Sequence, residues 1–160
     1  MSATSRLFGA SEGKILTVKL GEQTYGIPIL EAREVVRMMK VQEIPQTPHF
    51  MRGVINLRGK IHPVIDLRIK FGISNPQDTS ETCILMVDLA GNTTGMIVDM
   101  LIGVATLEES EFEEHPDLGQ NIKANFVLGV AKMEEQVILV LDLNQVLSNE
   151  ELAHVLQTTP

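Results

Sequence analysis

The chain repeats itself, and that constrains its fold more than any other feature. Residues 15–27, ILTVKLGEQTYGI, fall without a gap onto residues 84–96, ILMVDLAGNTTGM, with Ile, Leu, Val, Leu, Thr and Gly in common. Residues 53–67, GVINLRGKIHPVIDL, fall onto residues 129–143, GVAKMEEQVILVLDL, sharing Gly-Val at one end and Val-x-Asp-Leu at the other. The offset is 69 in the first match (15 to 84) and 76 in the second (53 to 129), so the second copy holds an insertion of seven residues. The acidic stretch EESEFEEHPD, residues 108–117, is its natural place. Two copies are too few for a solenoid, so the repeat implies two related lobes.

Within each copy the apolar runs are short and β-rich, as in KILTVKL, TYGIPIL, VINL and KIHPVIDL, and Gly or polar clusters punctuate them at LGEQ, LAGNT, RGK and EEQ. That rhythm predicts small antiparallel barrels or sandwiches. Residues 30–40, LEAREVVRMMK, have helical spacing at Leu30, Glu34 and Met38, but the other copy has Gly103 where this one has Glu34. Glycine inside a helix costs about 1 kcal/mol relative to alanine. The preferred reading is therefore one helical turn near 30–33 followed by a strand near 34–40. A short helix is expected after each Asp-Leu. DLRIKFG ends in a Gly C-cap, and SNEELAHVL opens with the capping-box pair Ser148 and Glu151, with Leu152, Val155 and Leu156 as its buried face.

Composition narrows the function. The net charge of −8 repels polyphosphate backbones and argues against a nucleic-acid partner. Cys83 is the only cysteine, so no intrachain disulfide is possible, and its neighbours in ETCILMV predict a buried thiol. No apolar run approaches the length of a membrane span, and the first residues do not read as a signal peptide, so a soluble cytoplasmic protein is expected. His49, His62, His115 and His154 are scattered without ligand spacing, which predicts no metal site. Neither a nucleophile elbow nor a phosphate loop is present, and no catalytic residue or cofactor is assigned. Asp66 and Asp142 are equivalent in the two copies and read as caps of the following turns.

Features shared by both copies read as structural, and features of one copy alone are candidates for function. Gly53/Gly129 and Asp66/Asp142 belong to the first class. Asn56-Leu57-Arg58-Gly59 belongs to the second, because the other copy has Lys132-Met133-Glu134-Glu135 there. Hairpin tips drift freely when exposed, which is one reading of that difference. The other is that Arg58 presents a five-donor guanidinium to a partner, with Gly59 allowing the positive-φ turn that aims it.

Residues 25–72, YGIPILEAREVVRMMKVQEIPQTPHFMRGVINLRGKIHPVIDLRIKFG, closely resemble the CheW family of bacterial chemotaxis coupling proteins. The signature Gly-Val-x-Asn-Leu-Arg-Gly followed by Pro-x-x-Asp-Leu-Arg is complete in this stretch. The likeness runs on through TTGMIVD and GVAKMEEQVILVLDL to the C-terminal segment, about residues 14–156. It implies a mainly β fold of two packed five-stranded OB-like β-barrel lobes with short helices, including one at the C-terminus. A flexible tail at 1–13, one domain of two intertwined lobes at 14–156, with the signature hairpin at 53–67 and the second copy at 84–147, and a tail at 157–160 complete the expected organisation.

The resemblance further implies a non-enzymatic adaptor between the cytoplasmic hairpin tip of a chemoreceptor and the regulatory domain of the histidine kinase CheA, recruited to receptor arrays without entering the membrane. It places partner contacts on the first lobe and the groove between lobes, at Ala32, Glu34 and Val35 and at Gly53, Val54, Asn56, Leu57, Arg58 and Gly59. Many relatives carry valine where this chain has Ala32. A coupler of another chemosensory output, such as twitching motility by type IV pili, fits the same residues. An OB-type binder of single-stranded nucleic acid is disfavoured by 4% aromatic content and the acidic charge, and a small-molecule sensor remains a third class.

Overall fold

The computed structural model describes residues 2–114 and 126–159. His115 and the end of the acidic stretch, residues 115–117, lie outside the described residues. The first copy supplies β1 (Lys14–Leu20), β2 (Gln23–Pro28), β3 (Ala32–Arg37), β4 (Met51–Leu57) and β5 (Lys60–Asp66). The second supplies β6 (Cys83–Leu89), β7 (Asn92–Val98), β8 (Met100–Thr106), β9 (Phe112–Glu114), β10 (Val127–Met133) and β11 (Gln136–Leu141). Helical segments are short: α1 (Ala3–Ser5), which continues as a π-helical turn over Arg6–Ala10, α2 (Leu67–Lys70) and α3 (Asn149–Thr158).

The strands form two sheets, one in the order β8-β1-β2-β11-β10-β9 and one in the order β3-β6-β7-β5-β4. Each sheet therefore takes strands from both copies. The antiparallel hairpin β1-β2 of the first copy joins the second copy's β11 through a parallel pairing of Val140 with Gly26. The hairpin β6-β7 of the second copy joins the first copy's β5 in the same register, Val64 with Gly95. The compact units follow this exchange, one being residues 1–32 with 101–146 and the other residues 33–100 with 147–160.

The sheets have six and five strands rather than five each, and neither is a closed barrel, because no hydrogen-bonded ladder joins its end strands among the described residues. The sixth strand comes from the acidic insertion. Glu109–Glu111 form a 3-10 turn with a capping box from Glu108 and Glu111, and Phe112–Glu114 then pair antiparallel with β10. In the other copy Gln42 alone bridges Val54, the equivalent of Val130.

Equivalent residues build equivalent joints. Gly53 and Gly129 each stand at a register shift at the start of the hairpins β4-β5 and β10-β11. A Cβ on Gly53 would overlap the Gln42 carbonyl, and one on Gly129 would overlap the Glu113 carbonyl and the Phe112 ring. Asp66 caps α2 by accepting the Arg68 N–H at 3.1 Å, and Asp142 caps a 3-10 turn by accepting the Asn144 N–H at 3.2 Å, as expected for both. The expected Gly C-cap is a Schellman pair, Gly72 N–H to Ile69 O and Ile73 N–H to Arg68 O, with Gly72 at φ +88°.

The Ser148–Glu151 capping box opens α3, whose Val155 is fully buried. This helix runs to Thr158, so the tail expected at 157–160 begins later than its first residue. The tail expected at 1–13 is replaced by the α1 segment, because Ala3 and Leu7 enter the core of the first unit with Ile15, Leu107, Leu128 and Val140.

Candidate functional site

The signature hairpin turns in two residues, with Leu57 paired to Lys60 across it. Arg58 at φ +52° and Gly59 at φ +85° both adopt the left-handed conformation that matches the twist of the flanking strands. Only glycine does so without steric cost, so Arg58 holds a strained position as well as a charged one. Asn56 braces the turn by accepting the Gly59 N–H on its Oδ1 at 2.9 Å.

From this tip the Arg58 guanidinium makes a two-point fork on Glu34, Nη1 to Oε2 at 3.3 Å and Nη2 to Oε1. Glu34 lies on β3, one edge of the five-stranded sheet, and Arg58 follows β4, the other edge. The sheet therefore curls far enough for a side-chain pair to link edges that no backbone ladder joins. The hydrogen bond from Arg58 holds the Glu34 carboxyl below its ordinary range despite desolvation, so both partners stay charged. Beside the fork, Arg33 contacts Asp88 at 2.6 Å. Arg33, Glu34, Leu57, Arg58, Lys60 and His62 contribute to the lining of a depression of 230 Å³.

The expected site residues divide by burial. Asn56, Arg58 and Gly59 are exposed, and Glu34 and Val35 are half-buried on the same unit. Ala32, also half-buried, is the last residue of the first unit. Gly53, Val54 and Leu57 are buried: Val54 is 6% and Leu57 8% exposed, and Leu57 packs with Ile55, Val64, Ile84, Met86 and Ile97. Leu57 shares the core face of β4 with Ile55, whereas Val54 points to the other face, on the stretch bridged by Gln42. The hairpin and Glu34 belong to the second unit, together with β6 and β7, rather than to a lobe made of the first copy.

At the equivalent place in the first unit the link is missing, since Gly103 stands for Glu34 and Glu134 for Arg58. There Thr17, Ile102, Gly103, Val104, Met133 and Glu134 contribute to the lining of a depression of 290 Å³. Ile102 and Val104 on the edge strand β8 are 48% and 58% exposed. The run LIGVATL has no polar residue before Thr106, so nothing in the sequence marks Ile102 and Val104 as exposed.

Among the described residues no group of three or more His, Cys, Asp or Glu side chains is arranged to hold a metal ion. No helix among them is long and apolar enough to cross a membrane.

The family model for the CheW-like domain matches residues 14–151. The chain is 31% identical to chemotaxis protein CheW of Klebsiella aerogenes over 97% of its own length and 94% of that protein. Protein FrzA of Myxococcus xanthus is 27% identical over 85% of this chain and 86% of its own. The crystal structure of scaffolding protein TtCheW from Thermoanaerobacter tengcongensis superposes with a TM-score of 0.78 at 36% identity, covering 87% of this chain and 90% of that one. On the length of the match and the shared fold, the chain belongs to the CheW family of chemotaxis coupling proteins.

Proposed function

We propose that this family member works as a non-enzymatic adaptor that binds the cytoplasmic hairpin tip of a chemoreceptor and the regulatory domain of the kinase CheA, in the cytoplasm at receptor arrays and without a cofactor. The observation that carries the reading is the Arg58–Glu34 fork. It fixes a guanidinium in the open, with its side chain 68% exposed, at the tip of a hairpin whose interior is rigidly packed. Such a group contributes little to holding the fold and is well placed for a partner's carboxylates or carbonyls. The apolar edge strand β8 supports a docking role for the first unit as well, because soluble proteins rarely leave adjacent Leu101, Ile102 and Val104 in water without a use for them.

Contacts of this transient kind sit near micromolar Kd, about −8 kcal/mol. Calorimetric titration with a receptor cytoplasmic fragment, and separately with the kinase regulatory domain, is expected to give saturable binding in that range for both. Absence of binding to either contradicts the reading. A second reading, a coupler serving another chemosensory output such as twitching motility, fits the same family fold. Loss of surface twitching with intact swimming in a deletion strain selects it over flagellar chemotaxis.

A further inference from the structure

The segment before β1 lies outside residues 14–151, which the family model matches, yet it is tied into the first unit at several points. Ser2 caps it, and Leu7 is completely buried. The Ala3 N–H donates to Glu114 Oε1 at 2.6 Å, and the Phe8 ring meets Phe112 edge-on at 5.9 Å. Arg6 spans two carboxylates, with Nη2 on Glu31 Oε1 at 2.5 Å and Nη1 on Asp142 Oδ2 at 3.1 Å. Ser11, itself buried, accepts the Leu30 N–H at 3.4 Å.

Two of these ties converge on Ile29–Glu31, the 3-10 turn that leads directly into β3. No residue of that turn is buried, and Leu30 is 66% exposed, so apolar packing does not hold it. A single 3-10 turn is marginal alone. Its anchors are Arg6 on Glu31 and Ser11 on Leu30. The next residues in the chain are Ala32, Arg33, Glu34 and Val35, the strand that carries the carboxylate gripped by Arg58.

We propose that Ser2–Ser11 is a strap, and that Arg6 is a positioning residue which fixes the 29–31 turn and thereby the start of β3 for partner docking. Arg6 need not touch a partner. It acts by bridging Glu31 to the capped turn at Asp142. The docking half of this inference rests on the adaptor reading above, whereas the strap itself does not.

The test compares the full chain with Arg6→Ala, Arg6→Lys and Glu31→Gln by amide hydrogen exchange, then by titration with the receptor fragment and the kinase regulatory domain. Arg6→Ala and Glu31→Gln are expected to speed exchange over residues 29–35 by roughly tenfold while leaving β10 and β11 unchanged. Both are expected to weaken partner binding several-fold. Arg6→Lys keeps a cation between the two carboxylates and is expected to restore most of both properties. Unchanged exchange over 29–35 in Arg6→Ala and in Glu31→Gln overturns the strap. Faster exchange with unchanged partner affinity overturns the positioning role. If the unaltered chain binds neither partner, the adaptor reading falls, and the exchange data still decide for or against the strap. Glu31→Gln preserves shape, so it keeps the test valid if Arg6→Ala fails to fold.

Discussion

Arg68 folds back onto the carboxylate of Asp66, two residues before it, with Nε on Oδ1 at 3.0 Å and Nη2 on Oδ2 at 2.9 Å, and both side chains are completely buried. The remaining donors reach Asp78 Oδ1 at 2.6 Å, Gln77 O at 3.1 Å and Asp99 Oδ1 at 3.1 Å, so all five guanidinium N–H groups are used. Burial alone would lower the pKa of this arginine. The hydrogen bonds to the three aspartates more than offset burial and raise it. This buried cation joins the end of β5 to the loop that leads into the second copy.

Replacing Arg68 by methionine removes a buried charge from a satisfied network and leaves Asp66 with Arg52, at 3.2 Å, as its remaining ion-pair partner. The expected loss is about 3–5 kcal/mol of unfolding free energy, measured by urea denaturation. A loss under about 1 kcal/mol would mean that the network contributes no net stability.

Asp78 gives this network a pH dependence. The hydrogen bond from Arg68, against a desolvation cost and with help from Arg52, holds its carboxyl below the ordinary range. A depressed folded-state pKa contributes stability that is present above the unfolded value, about 3.9, and is lost as pH falls through the folded value. Asp78→Asn is therefore expected to lower stability at neutral pH and to flatten the acid limb of the profile below about pH 4. Parallel acid limbs in the two proteins would contradict this assignment.

The glycines of the hairpin separate two kinds of constraint. Gly53→Ala drives a Cβ into the Gln42 carbonyl and is expected to cost about 2–4 kcal/mol, as is Gly129→Ala against Glu113 and Phe112. Gly59→Ala meets nothing within 4 Å and suffers only its φ of +85°, so about 1–2 kcal/mol is expected. Thermal denaturation of the three variants checks the order.

Leu57 and Arg58 are neighbours with opposite duties. Leu57→Ala opens a cavity in a packed core and is expected to cost about 2–5 kcal/mol, with binding recovered wherever the protein remains folded. Arg58→Ala is expected to leave the Tm nearly unchanged and to weaken partner binding roughly tenfold or more. The two measurements together separate support of the loop from recognition.

The duplication was legible at once, and with it the strands, the bulge glycines and the paired caps at Asp66 and Asp142. The exchange of hairpins between copies was not legible in the repeat, and only the family resemblance implied intertwined lobes. A repeat shows that Val64 and Val140 are equivalent, but not that each pairs in parallel with a glycine from the other copy. The Arg58–Glu34 link left a trace that a residue-by-residue reading passed over, since both members change together in the second copy, to Glu134 and Gly103. The burial of Gly53, Val54 and Leu57 was not legible, because a signature marks what a hairpin needs without saying which of its residues are covered. The strap left no trace, because MSATSRLFGAS has no long periodic run, and its order depends on Arg6 finding carboxylates far away in sequence.

The adaptor role is tested most directly by a pull-down in which the purified chain is mixed separately with a chemoreceptor cytoplasmic fragment and with the kinase regulatory domain, each repeated with Arg58→Ala. The expected result is capture of both partners by the unaltered chain and a clear reduction with the variant at unchanged Tm. Capture of neither partner, or equal capture by a folded Arg58→Ala variant, would contradict the role assigned to this hairpin.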